Sequence, residues 1–196
     1  MKKFLTFVTF LIIIFSNISK VHAIEADVFI QSVVNRAAKT LGGNLTKEER
    51  IEKLKDIARE TVDIDGIGRY TLGSYKSKIT DSQMIEYRAL FQEYFLKSFS
   101  SRLAEYSNPE IEVVSKKKLN ENYTMVSSIL VSTEKRPEVK IDWRVSTKNP
   151  DSPLIMNLVI EGLSLARTQK EEFSSIIQSN DGDINTLFTT LKEFAK

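Results

Sequence analysis

The stretch TDSQMIEYRALFQEYFLKSFSSRLAEY, residues 80–106, decides how this chain folds. Thr80 and Gln83 have the spacing of a capping box, in which each side chain satisfies a backbone donor at the start of a helix. The stretch predicts one helix, roughly 40 Å long at 1.5 Å per residue, that ends before Pro109. Its apolar residues recur at steps of three and four, which defines a wide, aromatic face: Met84, Tyr87, Leu90, Phe91, Tyr94, Phe95, Leu96, Phe99, Leu103 and Tyr106.

Three further helical segments are predicted before this stretch. Apolar residues at helical spacing predict a helix over residues 26–41, and Thr46 with Glu49 forms a second capping box that opens the next helix. Residues 63–79 mix apolar side chains with three glycines. We interpret them as a short helix broken at Gly73, followed by a turn into Thr80.

Beyond Pro109 the hydrophobic period changes from 3.6 to 2, which predicts β-strands. In the third of them, Ile141 and Trp143 alternate with Lys140, Asp142 and Arg144, so one face is expected to be covered and the other to be wet. Short turns link the strands, which is typical of an antiparallel meander. Four strands are predicted, at residues 111–119, 123–132, 139–145 and 154–163.

Two helices are expected after the strands, one capped by Thr168 with Glu171 and one opened by Asp183. The order of elements predicts an α+β fold, in which a four-stranded antiparallel meander sheet wraps against the long aromatic helix, with additional N- and C-terminal helices. We expect one domain over residues 24–196. Its helical parts would be 24–107 and 164–196, and its sheet part 110–163.

The N-terminus indicates export. Lys2 and Lys3 precede an apolar run from Phe4 to Phe15, and Val21-His22-Ala23 offers small residues at a signal-peptidase site. The alternative is a transmembrane anchor, but the run has about 12 residues and a membrane-spanning helix needs about 20. We therefore predict a cleaved signal peptide over 1–23. The absence of cysteine from an exported chain of this size favours a bacterial periplasm.

Composition excludes several kinds of chemistry. Loss of 1–23 removes the single histidine and three lysines, so the 28 basic side chains fall to 25 against 26 acidic ones. Such a balance does not favour nucleic acid as a partner. Without histidine or cysteine, the remaining chain cannot form a Ser-His-Asp triad, a cysteine nucleophile or a Cys/His zinc site. We predict neither a metal nor a cofactor.

Carboxylates and aromatic residues are the remaining candidates for a site. Most acidic residues lie near predicted helix starts, where they offset the helix dipole. Glu161, beside Gly162 in a strand, has no such explanation, and its structural alternative is a carboxylate that accepts backbone hydrogen bonds. The aromatic helix could line a pocket for an apolar ligand or could fill a core. Periodicity does not separate these alternatives, because the same residue types line both.

Short strings in a fixed order along the chain resemble the MlaC family of periplasmic phospholipid-binding proteins, also known as toluene-tolerance auxiliary proteins. The chain departs from the family at Met156-Asn157, where Tyr-Asp is usual. The strings cover nearly all of the chain after the signal peptide: Asp65, Leu72-Gly73-Ser74-Tyr75, Ile79-Thr80, Phe91, Tyr94 to Leu96, Leu103 to Tyr106, Val159 to Leu165, Phe173 and Asp181-Gly182.

The resemblance implies a non-enzymatic carrier that moves phospholipid between the outer and inner membranes. Its implied partners are an inner-membrane ABC transporter complex with an MCE domain and an outer-membrane lipoprotein complex. Acyl tails would enter an apolar cavity while the head group stays outside, close to Lys76, Lys78 and Arg102. The residues expected to contact the tails are Leu72, Tyr75, Phe91, Phe95 and Phe99 from the helical side and Ile141, Trp143, Leu158 and Ile160 from the sheet.

Two other functions stay open from the residues alone. One is a small α+β enzyme that acts on an apolar substrate with Glu161 or Asp65 as its base. The other is a periplasmic adaptor whose interior is completely filled by its own side chains.

Overall fold

The computed structural model describes residues 24–107, 109–134 and 136–195. The predicted signal peptide, 1–23, lies outside the described residues. The elements follow one another along the chain as α1 (Ala26–Gly42), α2 (Lys47–Thr61), α3 (Ile64–Thr71), a 3-10 helix (Gly73–Ser77), α4 (Asp81–Leu103), β1 (Ile111–Asn120), β2 (Tyr123–Leu130), β3 (Val139–Ser146), β4 (Leu154–Ile160), β5 (Leu163–Ser164), α5 (Leu165–Gln178) and α6 (Ile184–Ala195).

The long aromatic helix is α4, and its predicted start is confirmed. The Gln83 backbone N–H donates to the Thr80 hydroxyl over 3.2 Å, and the Thr80 N–H donates to Gln83 Oε1 over 3.0 Å. This closes both halves of the capping box. The helix has 23 residues and ends at Leu103, so the turn towards β1 begins before Tyr106. At 1.5 Å per residue α4 is roughly 34 Å long.

The strands form one antiparallel sheet in the order β1-β2-β3-β4-β5, which confirms the α+β meander. The predicted count of four strands is wrong, because the segment 154–163 is two strands. Glu161 and Gly162 have φ angles of 48° and 81°, so the chain reverses there and Leu163 pairs back onto Ile160. The turn has only two residues, and apolar residues resume at Leu163, so the sequence pattern does not separate the two strands.

The alternation predicted for β3 is confirmed. Ile141, Trp143 and Val145 are buried, whereas Lys140 and Arg144 are exposed. The Trp143 indole N–H donates to Ser128 Oγ over 2.8 Å, which satisfies the only polar atom of that side chain inside the core.

The predicted start of α5 is wrong. Ser164, and not Thr168, is the N-cap residue, since its hydroxyl accepts from the Arg167 N–H. The Thr168 hydroxyl instead lies inside the helix and donates to the Ser164 carbonyl over 3.1 Å. The sequence predicts Thr168 as the cap because Glu171 follows it at capping-box spacing. The β4–β5 turn, however, brings Ser164 to the helix start first.

The helices form two overlapping groups by what they contact, because α3 contacts both the sheet and α4. The sheet is covered mainly by α1, α3 and α5, whereas α4 packs along α2, α3 and α6. Buried side chains from both groups meet in one hydrophobic core. The boundary between α4 and the sheet is consequently formed by side chains rather than by close backbone contact. Among the described helices, none combines the length and the apolarity needed to cross a bilayer.

Candidate functional site

One side of the aromatic face of α4 is sealed by α5 and α6. Phe91 is 2% exposed, and the edge of its ring meets Phe173 of α5 at a centroid distance of 6.2 Å. Tyr94 contacts Phe173 at 5.7 Å and Phe194 of α6 at 4.8 Å. Each ring therefore has aromatic neighbours from a different element. Phe91 is core, whereas Tyr94 is half-buried and Phe194 is 43% exposed.

The other side of the same face is less well covered. Phe95 and Phe99 are half-buried, and their rings stack at 5.5 Å with an interplanar angle of 11°. Phe95 also contacts Phe91 at 6.1 Å. Among the described rings, no aromatic side chain from another element contacts this pair. Two phenyl rings thus present apolar surface that the fold does not fully bury.

The sheet contributes half-buried apolar residues to the same cluster. In β4, Leu158 is opposite Trp143 and Ile160 is opposite Ile141, so these residues share the covered face of the sheet. Leu158 and Ile160 are nevertheless only half-buried, unlike their partners in β3. Ile141 and Trp143 of β3 are thus buried, whereas Leu158 and Ile160 of β4 are only partly covered.

All nine predicted tail-contacting residues belong to one hydrophobic cluster. Four of them are buried core in this structure, namely Leu72, Phe91, Ile141 and Trp143. The other five are half-buried, and we call them the apolar boundary: Tyr75, Phe95, Phe99, Leu158 and Ile160.

Gly73 positions Leu72 and Tyr75. Its φ of 55° lies in the left-handed region, which an L side chain adopts only with strain, and it turns the chain from α3 into the 3-10 helix. Leu72 is consequently fully buried, and the Tyr75 N–H donates to the Leu72 carbonyl over 3.0 Å. The Lys78 ammonium lies 5.1 Å from the centre of the Tyr75 ring, so a cation marks the outer end of the apolar boundary.

The three cations predicted to surround the head group do not come together. Lys76 and Lys78 are exposed residues before the start of α4, whereas Arg102 lies in its last turn. From Asp81 to Arg102 the helix rises roughly 32 Å. The predicted single rim is therefore wrong, because a helix without a break separates Arg102 from the two lysines.

The buried hydroxyls of Tyr87 and Thr71 are satisfied inside the helical core. The Tyr87 hydroxyl donates to the Gly68 carbonyl over 3.2 Å and lies 2.8 Å from Thr71 Oγ1, and Thr71 Oγ1 is 2.7 Å from the same carbonyl. Burial raises the pKa of Tyr87 well above its ordinary value. The hydroxyl consequently stays neutral and structural at physiological pH.

The two carboxylates considered as catalytic bases have structural partners instead. Asp65 binds Arg88 and lies 3.3 Å from Arg69, and the hydrogen bond from Arg88 lowers the pKa of Asp65 below its ordinary value. Glu161 accepts a hydrogen bond from the Lys140 backbone N–H, as its structural alternative predicted. A carboxylate whose pKa is lowered by an ion pair, as in Asp65, is a weaker general base. In the part of the chain that the structure describes, no group of three acidic side chains or histidines could hold a metal ion.

The residues that cover one half of the aromatic face of α4 are not evident from the sequence. Phe173 and Phe194 seal one half of the α4 face, yet they lie about 80 and 100 residues further along the chain. Their helical spacing does not indicate which aromatic residue of α4 each one contacts, and Phe194 itself is 43% exposed.

Two surface grooves along α1 are not part of this site. Both include Arg36 and Lys39, and the remaining lining residues come from α1 and from the segment around α2. None of the nine predicted tail-contacting residues lines them.

The fold and the apolar boundary define a small α+β protein whose long aromatic helix is covered on one side only. A family model described as MlaC protein matches residues 30–193, and the chain belongs to this family. A search of the curated proteins finds no match.

Solved structures share the fold, and one of them holds a bound ligand. It is the phospholipid-binding protein from Ralstonia solanacearum in complex with a phospholipid, with a TM-score of 0.73 and 20% sequence identity. The similarity covers 88% of this chain and 97% of that chain, so both follow the same α+β plan throughout.

Proposed function

We propose that this protein binds a phospholipid, with the acyl tails held between α4 and β4. The observation that carries the proposal is the apolar boundary, where Phe95, Phe99, Leu158 and Ile160 are left half-buried beside a complete core. Family membership and the phospholipid-binding protein that shares the fold support the same ligand class.

Tails would enter where the two groups of helices meet. The sheet rests on α1, α3 and α5, and α4 rests on α2, α3 and α6, so α4 and β4 are joined mainly through α3. Their separation would require α3 to shift against one of the two. Separation would expose more of the half-buried aromatic pair and would let hydrocarbon replace side-chain contacts. Leu72, Phe91, Ile141 and Trp143 would then form the floor of the site.

The magnitude of tail burial suggests a carrier with assisted release. Burying a 16-carbon chain at about 0.8 kcal/mol per methylene contributes roughly 12 kcal/mol before costs, and two chains double that figure. A lipid held in this way would leave into water very slowly. Release therefore requires a docked partner that widens the boundary or continues it as an apolar path.

On this basis we propose a periplasmic carrier that shuttles phospholipid between the outer and inner membranes. The exchange partners would be an inner-membrane ABC transporter complex with an MCE domain and an outer-membrane lipoprotein complex. The N-terminal export pattern supports the compartment. A binding protein, and not an enzyme, agrees with the ion-paired Asp65 and the backbone-bonded Glu161.

Organic-solvent extraction of the purified protein, followed by mass spectrometry, tests the ligand class. We expect phospholipid at a fixed ratio to protein. A smaller apolar ligand would favour the enzyme alternative, and a protein that neither carries nor takes up lipid would favour the adaptor.

A charge placed in the apolar boundary tests the site. Phe95→Asp puts a carboxylate where tails are proposed to lie, so we expect lipid occupancy to fall at least tenfold while circular dichroism remains that of a folded protein. Ile85→Asp is the matched control, because Ile85 is on the same helix and is 69% exposed. Equal occupancy in the two variants would remove Phe95 from the site.

A further inference from the structure

A row of cationic and apolar side chains crosses the solvent face of the sheet, opposite the core. Lys117 of β1 is paired with Met125 of β2, and Met125 is paired with Arg144 of β3. Directly opposed residues of antiparallel strands project from the same face, and Arg144 alternates with the buried Trp143. At about 4.8 Å between strands, Lys117 and Arg144 leave the backbone about 10 Å apart.

Tyr123 joins a third cation to this row. It lies two residues before Met125 and therefore on the same face. The Arg144 guanidinium is 5.4 Å from the centre of the Tyr123 ring, and the Lys148 ammonium is 5.5 Å from it. Two like charges are thus held against one half-buried ring.

These three cations form no ion pair within the described chain. Neighbouring cations do have one, since Lys116 bridges Glu25 and Asp27, and Lys140 pairs with Asp142. By contrast, Lys117, Arg144 and Lys148 form no ion pair with any described carboxylate. Mutual repulsion therefore persists in the free protein and would be relieved by an external anion.

We propose that Lys117, Tyr123, Met125, Arg144 and Lys148, here called the basic patch, bind the surface of an anionic phospholipid bilayer. The cations are spread over three chain segments without a pocket, which suits many mobile head groups better than one fixed anion. Tyrosine is enriched at the depth of the head groups, where its ring is apolar and its hydroxyl is wet.

The neighbouring strand supports a bilayer as the partner. Val114 and Leu119 are 56% and 40% exposed and lie at the two register shifts of β1, before and after Lys117 in the sequence. Mixed basic and apolar surfaces bind anionic lipid by electrostatic attraction together with shallow insertion. This inference does not depend on a lipid carried at the apolar boundary, because the basic patch lies on the opposite face of the sheet.

Vesicle co-sedimentation tests the basic patch with the protein purified from expression of the full chain. The probes are vesicles of phosphatidylcholine alone and of phosphatidylcholine mixed with phosphatidylglycerol. We expect binding to the mixed vesicles only, with an affinity that falls as salt is added. Equal binding to both vesicles, or binding to neither, would overturn the proposal and would leave an acidic protein or nucleic acid as the partner.

Two double variants with the same chemistry separate the patch from overall charge. Lys117→Gln with Lys148→Gln removes two cations from the basic patch. Lys39→Gln with Lys53→Gln removes two exposed lysines from α1 and α2, which also lack described ion pairs. Each cation is expected to contribute about fivefold to the affinity for mixed vesicles, so the patch variant should bind them about 25-fold more weakly. The control variant should bind them as the unmodified protein does.

Circular dichroism and solvent-extracted lipid should be unchanged in both double variants. The bilayer inference fails if the two variants lose the same affinity, or if the patch variant loses none. Loss of extracted lipid with retained vesicle binding would instead overturn the basic patch as a separate surface. Retained lipid with selective loss of vesicle binding confirms it.

Discussion

The two sides of the aromatic face of α4 are built from the same residue types and differ in which elements cover them. Phe91 and Tyr94 meet Phe173 and Phe194 from the C-terminal helices, whereas the next ring along, Phe95, stacks only on rings of its own helix. An aromatic stripe therefore does not itself define a core or a ligand surface. What decides is whether another element brings side chains to cover it.

The largest expected difference between the two sides is in stability. Phe91→Ala leaves a cavity in a filled core and should lower the free energy of unfolding by about 3–5 kcal/mol. Phe95→Ala removes a half-exposed ring and should cost less than about half of that. Urea denaturation of delipidated protein measures both, since bound lipid would add its own stabilisation. Equal losses would show that the two sides are equally packed.

A methyl group at Gly68 tests how rigid the sealed side is. A Cβ built there would lie 2.7 Å from Phe91 Cδ1, closer than carbon atoms approach each other, and Phe91 is enclosed by its neighbours. Gly68→Ala should therefore cost about 1–3 kcal/mol despite the higher helix propensity of alanine. Gly43→Ala is the control, because its Cβ would meet nothing closer than 3.5 Å. A neutral Gly68→Ala would mean that Phe91 can move.

The smallest expected effect concerns the Tyr87 hydroxyl, also on the sealed side. Its removal in Tyr87→Phe should lower the free energy of unfolding by about 1–2 kcal/mol at neutral pH. The loss is small because the Thr71 hydroxyl retains the Gly68 carbonyl as its acceptor. Burial raises the pKa of Tyr87, so its contribution is fully present below the unfolded pKa of about 10 and is lost as pH rises towards the folded value.

The free energy of unfolding, measured as a function of alkaline pH, tests this loss of stability. The unmodified protein should lose stability above about pH 10 more steeply than Tyr87→Phe does. Some loss will remain in the variant, because burial also raises the pKa of Tyr94. Parallel pH profiles would show that Tyr87 ionises as readily in the folded protein as in the unfolded one.

The elements of this fold could be predicted where their signals are local. The capping boxes at Thr46 and Thr80 and the alternation in β3 each depend on residues a few positions apart, and all are confirmed. The β4–β5 turn was missed because Glu161 adopts a positive φ, which is uncommon for a residue with a side chain. A non-glycine residue in that conformation leaves no signal in an apolar alternation.

The candidate site could be predicted only as a set of residue types. Helical spacing predicts an inward-facing position for both Phe91 and Phe95. What distinguishes them is the contact of Phe91 with Phe173, which is distant in the chain. Arg102 was grouped with Lys78 by charge alone, and the length of α4 separates them. Tertiary packing therefore decides which predicted residues share a surface.

The proposal that acyl tails lie against the half-buried side of α4 can be tested with a phospholipid that carries a photoreactive diazirine in one acyl tail. After loading and illumination, mass spectrometry of the peptides maps the labelled residues. The account predicts label on the segments that contain Phe95 with Phe99 and Leu158 with Ile160, and none on Phe173 or Phe194. Label on the sealed side, or only along the grooves of α1, would contradict it.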